Sequence, residues 1–200
     1  MYGVIIGDLI LNGKCTSNTV LTVAIADAIK NNIKYSEAIK MYIERYKDIT
    51  YSDFEWKGKL TDVNFLNFVS PIGFICNNEF DIAQNIKKIA KLNRNIDMIN
   101  IASYMSLIIL YIRKGISMEE IYRQLCIDLK YIESPISIKD TFSNVLYNLY
   151  NATYYEQTII KSHKEEVPII SPMAEALFGI PDYLKENKEV PSEFVKALRR

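Results

Sequence analysis

The sequence predicts an all-α protein with a compact multi-helix fold and a single domain over residues 1–200. Apolar residues recur at helical spacing along most of the chain. Alternating strand patterns and Asn-Gly hairpin turns are nearly absent. A length of 200 residues is sufficient to bury one substantial core. There is no low-complexity linker or repeat of fixed period that would indicate a second domain.

Three helices are predicted within the first fifty residues. The run 2–11 is apolar and contains two glycines, Gly3 and Gly7, that would permit close helix packing. Thr16, Ser17 and Asn18 are N-cap types placed just before an apolar stripe that continues to a turn at 31–34. An amphipathic stripe follows that turn. These features predict helices over 2–11, 18–31 and 35–46.

The segment 48–80 is less regular, and VSPIGF at 69–74 is predicted to be a turn that enters an apolar segment. Helical spacing then returns and continues to the end of the chain. Gly115 is placed as a helix C-cap, and Ser117 with Glu120 forms a capping box. The predicted helices are 82–92, 97–113, 117–131, 138–150, 154–160, 171–178 and 191–200.

Composition limits the classes of partner and compartment. Lys+Arg and Asp+Glu are equal at 24 each, so no general attraction to nucleic acid or to an anionic membrane is expected. The apolar run 98–112 is shorter than the roughly 20 residues that span a bilayer, which favours a buried core helix. The N-terminal run lacks the basic region of a signal peptide, and three widely spaced cysteines indicate a reducing cytosol. A cytoplasmic location is therefore expected, and assembly into a homo-oligomer is compatible with the sequence.

Five short motifs occur in a defined order along nearly all of the chain. They are YGVIIGDLI at 2–10, TSNTVLTVAIADAI at 16–29, FVSPIGF at 68–74, IRKGISMEEI at 112–121 and MAEALFGIPDYL at 173–184. They resemble GAIxGDxxG, TDDTxLTxAxADAL, MRxSPxGF, xRxGxSxEEI and xAEAxxGIPxxL of the ADP-ribosylglycohydrolase family, the dinitrogenase-reductase-activating-glycohydrolase type. The resemblance implies that family's all-α fold.

The same resemblance implies two magnesium ions, held by Thr-Asp-Asp at the helix start that matches 16–18 here and by Asp-x-Asp-Thr near the C-terminus. With these ions the family cleaves ADP-ribose from modified groups. Here Thr16 keeps its identity, whereas Ser17 and Asn18 stand at the first two aspartate positions. The family's C-terminal GGDSDT segment, which contains Asp-x-Asp-Thr, aligns with 160–165 when it is counted back from the Gly-Ile-Pro at 179–181. Ser162 replaces one of its aspartates.

Lys164 replaces the other aspartate and Glu165 stands at the threonine position. Magnesium needs several oxygen ligands in near-octahedral geometry, and a lysine at a ligand position would repel it. The Gly-Asn-Gly loop of the family is also altered here, at 62–65. We therefore expect no di-metal centre, no cofactor and no hydrolysis by the family's mechanism.

Loss of the metal does not require loss of binding. Lysine and arginine side chains could hold the diphosphate of ADP-ribose, helped by backbone N–H groups at the helix start 16–19. Phe65 and Phe68 flank the altered loop and could stack on adenine. The candidate ligand-binding residues are Lys14, Thr16, Ser17, Asn18, Asn64, Phe65, Phe68, Arg94, Lys161, Ser162, His163 and Lys164.

The leading hypothesis is a catalytically inactive relative that binds an ADP-ribose-derived or cyclic nucleotide, for example a phage-type sponge for an immune signal. One alternative is a metal-independent hydrolase in which Glu165, Glu166 or His163 acts as general base on an ADP-ribosyl linkage. Another is a protein-interaction module whose cleft has closed. The plainer interpretations are an N-cap at 16–19 and a solvated surface histidine at His163.

Overall fold

The computed structural model of the chain describes residues 3–50, 65–66, 68–93, 95–129, 136–163 and 166–180. For 126–129, 136–140 and 168 only the backbone is described. Within these ranges the chain forms α-helices and one short 3-10 helix, and no strand occurs there. The all-α prediction is confirmed.

Eleven α-helices with defined bounds lie in the described residues. In chain order they are α1 Gly3–Asn12, α2 Ser17–Asn31, α3 Tyr35–Arg45, α4 Lys47–Thr50, α5 Ser70–Ile75, α6 Glu79–Ile89, α7 Ile96–Arg113, α8 Met118–Leu129, α9 Ile136–Tyr150, α10 Tyr155–Lys161 and α11 Val167–Phe178. The 3-10 helix Ala90–Leu92 continues α6.

The predicted boundaries are confirmed at several caps. Thr16 is the N-cap of α2, and its hydroxyl accepts from the Asn18 backbone N–H at 3.2 Å. Gly115 follows the end of α7 with φ of 80°, a conformation that glycine adopts without a steric penalty. Ser117 accepts at its hydroxyl from the Glu120 N–H at 3.2 Å, as the capping box requires.

Two predictions were wrong at segments whose helices contain proline in the first turn. The segment 69–74, expected to be a turn, lies largely in α5, whose first turn contains Pro71. Likewise α11 begins at Val167 and not at Ser171, with a proline in its first turn and Pro172 inside it. Proline is tolerated in the first turn because its missing N–H has no partner there in any case. The predicted helix 191–200 lies outside the described residues.

The core is organised around α11, which packs against α1, α7, α9 and α10. A second group of contacts joins α2 to α3 and α5, while α5 packs on α7. The buried apolar side chains of these helices belong to one contiguous cluster. Burial of this cluster is the main term that holds the helices together.

Helices α1 and α11 pack closely and run antiparallel. A Cβ atom on Gly3 would lie 2.5 Å from the Ser171 carbonyl oxygen, and one on Gly7 would lie 3.0 Å from the Ser171 hydroxyl and 3.5 Å from Val167. The Gly3 N–H also donates to the Glu175 carboxylate at 2.8 Å. The close packing expected from the two glycines is confirmed, and it brings the C-terminal end of α1 to the N-terminal end of α11.

Among the described residues, α7 is the one helix that is long and apolar enough to cross a membrane by length and composition. Half of its apolar window is buried inside the structure, against α5, α6, α8 and α11. A central helix of a packed core has the same properties.

Candidate functional site

The start of α2 is held by the carboxylate of Asp8, which projects from α1 and is only 1% exposed. Its Oδ2 atom accepts four hydrogen bonds. Two come from Thr16, from the backbone N–H at 3.1 Å and the hydroxyl at 2.7 Å. Two come from Thr19, from the N–H at 3.1 Å and the hydroxyl at 2.6 Å. Asp8 is therefore the anion that occupies the N-terminal end of α2.

This arrangement changes the role expected for the helix start. The first N–H groups of a helix carry partial positive charge and favour a nearby anion. The N–H groups of Thr16 and Thr19 donate to Asp8, and the Asn18 N–H donates to the Thr16 hydroxyl. The expected use of backbone N–H groups at 16–19 to hold a diphosphate is corrected here, because a buried carboxylate already fills that position.

Ser17 and Asn18 occupy the first turn of α2. Ser17 is 6% exposed and Asn18 is half-buried. The Asn18 carbonyl accepts from the Thr22 hydroxyl at 2.7 Å. Ser17 and Asn18, which replace the two aspartates of the motif that they resemble, are therefore part of a packed helix start.

The second motif segment, 160–165, spans the end of α10 and the connection to α11. The Ser162 hydroxyl donates to the Thr158 carbonyl at 2.8 Å, a bond within one helical turn. Glu166 is 2% exposed, and its carboxylate accepts from the His163 N–H at 3.0 Å. The Glu166 N–H donates in return to the His163 carbonyl at 2.9 Å, so this glutamate closes the turn that starts α11.

Two adjacent residues of α1 contact the starts of α2 and α11. Asp8 binds the start of α2, and the preceding Gly7 packs against Val167 in the first turn of α11. Lys14, Lys161 and His163 are all exposed. The Lys161 ammonium donates to the Asn151 carbonyl at 3.5 Å.

Other predicted site residues lie elsewhere or outside the described residues. Phe65 and Phe68 are both 0% exposed and belong to the core cluster. Stacking on a base requires an accessible ring face, which neither side chain has, so their expected role is corrected to core packing. Outside the described residues lie Asn64, Arg94, Lys164 and Glu165.

Within the described part of the chain, no three His, Cys, Asp or Glu side chains form a group that could hold a metal ion. Among the described residues, Asp8 and Glu166 are acidic side chains that bond to the two motif segments, and each accepts backbone hydrogen bonds. Neither carboxylate belongs to a group of three or more such side chains in the described ranges.

A cavity of about 330 Å³ lies between the C-terminal ends of α2 and α6 and the start of α3. Lys34, Lys88 and Lys91 contribute to its wall, together with Tyr35 and Asn85. The Tyr35 hydroxyl donates to the Asn85 side-chain oxygen at 2.6 Å. Burial raises the pKa of Tyr35 well above its usual range, and the charge of nearby Cys76 adds to the rise.

Two further cavities lie away from the motif segments. One of about 500 Å³ is formed by α7, α8 and the start of α6, and has an apolar floor with Tyr104 and Tyr111 at its edge. Another of about 300 Å³ lies between the start of α10 and the end of α11. The linings of all three cavities are made of residues other than the twelve predicted ligand-binding ones.

Sequence reasoning missed the partnership of Asp8 with Thr16 and Thr19, although each residue was visible in its motif. An aspartate inside an apolar helix, followed by a Thr-x-x-Thr helix start, is the signal that could have indicated it. The cavity lysines give no comparable signal, since they come from two separate segments that only the fold brings together.

Comparisons with models of known protein families, with curated proteins and with solved structures return no match for this chain.

Proposed function

We propose that this chain is a catalytically inactive ADP-ribosylglycohydrolase-like protein that binds an ADP-ribose-type nucleotide without cleaving it. The observation that carries the proposal is the state of Asp8. This carboxylate is buried and accepts four hydrogen bonds from the helix start where a catalytic relative would present metal ligands. It is a structural cap and has no exposed face with which to hold a cation.

The second acidic candidate supports the same proposal. A general base must reach the proton that it removes, either directly or through one water. Glu166 is 2% exposed and is bonded to the His163 backbone, so its carboxylate serves the turn before α11. Neither Asp8 nor Glu166 is accessible, so neither carboxylate can replace the several kcal/mol that a metal ion supplies to catalysis in the family's mechanism.

Binding is supported by exposed lysines in or beside the two motif segments, Lys14 before α2 and Lys161 at the end of α10. Lys14 lies in the connection between α1 and α2, Lys161 is the last residue of α10, and the exposed His163 follows it. A diphosphate bridging two such lysines would make charge-assisted hydrogen bonds, which are about twice as strong as neutral ones. We place the ligand on the exposed surface that Lys14, Lys161 and His163 would form, here called the nucleotide rim, and not at the α2 start, which Asp8 fills.

Calorimetry with ADP-ribose and with cyclic ADP-ribose isomers tests the proposal. We expect saturable binding that EDTA leaves unchanged and an intact ligand after incubation. The double variant Lys14→Glu with Lys161→Glu should weaken binding by about tenfold or more. Lys40→Glu with Lys87→Glu changes the net charge equally at exposed positions elsewhere and should not. If none of these nucleotides produced heat of binding, the proposal would be refuted.

A second candidate, a protein-interaction module with a closed cleft, is favoured by the internal hydrogen bonds of Thr16 and Ser162 and by the burial of Phe65 and Phe68. It predicts no nucleotide binding in the same calorimetry. The metal-independent hydrolase predicts turnover of an ADP-ribosyl substrate that survives EDTA and is abolished by His163→Ala or Glu165→Gln. Chromatography of the nucleotide after incubation separates these two outcomes.

A further inference from the structure

The cavity between α2, α3 and α6 has a charge distribution that none of the motifs explains. It encloses about 330 Å³ and is lined by side chains from three separate helical regions. This volume is near the lower end of the range for small-molecule sites, which fits a compact ligand. The cavity lies at the opposite end of α2 from Asp8, and so is distinct from the nucleotide rim proposed above.

Positive charge dominates its wall. Lys34 comes from the start of α3, while Lys88 and Lys91 come from the end of α6 and the 3-10 helix after it. No Asp or Glu is among the described residues of the lining. Lys34 Nζ lies 3.1 Å from the Glu37 carboxylate, but both side chains are mostly exposed, at 80% and 55%. Such a pair is weak and can exchange for an anionic ligand.

The first turn of α3 adds hydrogen-bond donors on the same side. Lys34, the N-cap, supplies no side-chain cap. The Glu37 and Ala38 N–H groups donate to the Lys34 carbonyl, each at 3.0 Å. The backbone N–H groups of Tyr35 and Ser36, both lining residues, have no acceptor in the part of the chain that the structure describes. An anion in the cavity would meet these N–H groups together with the lysines.

The lining also includes a group of apolar side chains. Ile29, Ile33 and Leu92 line the cavity. Beside them the Tyr35 hydroxyl bonds to Asn85, whose side-chain N–H donates to the Asp81 carbonyl at 2.9 Å. An organic group could pack on the three apolar side chains without leaving a buried polar atom unpaired.

We propose that this cavity binds a small phosphate monoester. The phosphate sits between Lys88, Lys91 and the start of α3, and a compact apolar or aromatic group packs on Ile29, Ile33 and Leu92. Phosphate supplies the negative charge and the several acceptor oxygens that three ammonium groups and two free N–H groups require. The inference does not depend on the proposed nucleotide function.

Phenyl phosphate and inorganic phosphate are suitable probes because neither resembles ADP-ribose beyond the phosphate. Titration of the full chain by ¹H–¹⁵N NMR should give saturable shifts at the amides of Tyr35, Ser36, Lys88 and Lys91. Phenyl phosphate should bind about tenfold more tightly than inorganic phosphate, because burying its ring against three apolar side chains removes apolar area from water. Equal affinity for the two probes, or shifts confined to other helices, would overturn the inference.

Charge-reversal variants provide a second arm. Lys88→Glu with Lys91→Glu should weaken phenyl phosphate binding about tenfold or more. Lys40→Glu with Lys87→Glu is the matched control, since both residues are exposed and Lys87 lies on α6 outside the cavity lining. Equal loss in the two double variants would mean non-specific attraction and would refute the site. Lys14→Glu with Lys161→Glu should leave this binding unchanged, so failure here and failure of the nucleotide proposal are separable.

Discussion

At the scale of single residues, Asp8 is the most consequential side chain in the described structure. It places a charged group in the interior, which is costly unless the charge is paired or fully hydrogen-bonded. Thr16 and Thr19 meet that requirement with two N–H and two O–H donors. The same contacts tie α1 to the start of α2. Thr16 and Thr19, which could have faced a ligand, therefore face an internal carboxylate.

Removing this carboxylate should destabilise the protein. Asp8→Ala leaves two buried backbone donors without an acceptor, so we expect the free energy of unfolding to fall by about 2 to 4 kcal/mol. Urea denaturation followed by circular dichroism measures the change. Asp48→Ala, at an exposed aspartate in α4, is the control and should change stability by no more than about 0.5 kcal/mol. Equal effects of the two substitutions would contradict the capping role of Asp8.

At the scale of helices, close approach decides how α5 and α7 pack. A Cβ atom on Gly73 of α5 would lie 2.5 Å from the Ser106 carbonyl oxygen and 2.7 Å from Ile109 Cβ on α7. The Arg113 guanidinium of α7 also donates to the Gly73 carbonyl at 2.8 Å. The contacts of Gly73 with α7 are thus largely to backbone and to a β-branched side chain, which cannot easily move aside.

Gly73→Ala tests this packing. Alanine favours a helix by up to about 1 kcal/mol over glycine, but overpacking against backbone costs about 1 to 3 kcal/mol. We expect a net loss of thermal stability. Gly7→Ala is a matched comparison, because its nearest obstacle is the Ser171 hydroxyl at 3.0 Å, a small side chain that can rotate. A Gly73→Ala protein as stable as the Gly7→Ala protein would show that α5 and α7 are not so tightly apposed.

At the scale of the whole molecule, Tyr42, Tyr111 and Tyr35 make the free energy of unfolding depend on pH in the alkaline range. Burial raises the pKa of Tyr42 to about 12, with a further rise from the charge of Asp27. Burial and then the 2.8 Å hydrogen bond to Glu79 raise the pKa of Tyr111 to about 12. The pKa of Tyr35 is also raised, by burial first. Each ring is held neutral by the folded structure.

The sign of the pH dependence follows from these shifts. Because the folded pKa lies above the unfolded value of about 10, the folded state binds more protons between about pH 10 and 12. The stabilisation is complete below about pH 10 and is lost as pH rises through about 12. Denaturation measured from pH 8 upward should show the free energy of unfolding falling above about pH 10. The tyrosinate absorbance of Tyr111 should appear only as the pH approaches about 12. Tyr111→Phe should remove part of the decline, whereas a flat profile would contradict the shifts.

The sequence by itself determined the helical class and most helix positions, since periodicity and caps are local. Thr16, Gly115 and Ser117 mark helix ends through bonds within a few residues, so neighbouring sequence was enough. The two helix starts that were missed, α5 and α11, contain proline in the first turn. There the same residue type can begin a helix or break one, and packing against α7 and α1 decides between them.

Only the tertiary structure decided what the motif residues do. The sequence showed that Ser17, Asn18 and Ser162 are not carboxylates, but it could not show that Asp8 fills the start of α2 from another helix. Nor could it place Phe68 in the core or bring Lys34 beside Lys91 around one cavity. These outcomes depend on contacts between residues far apart in the chain, and such contacts are fixed by burial and by side-chain hydrogen bonds that no local pattern records.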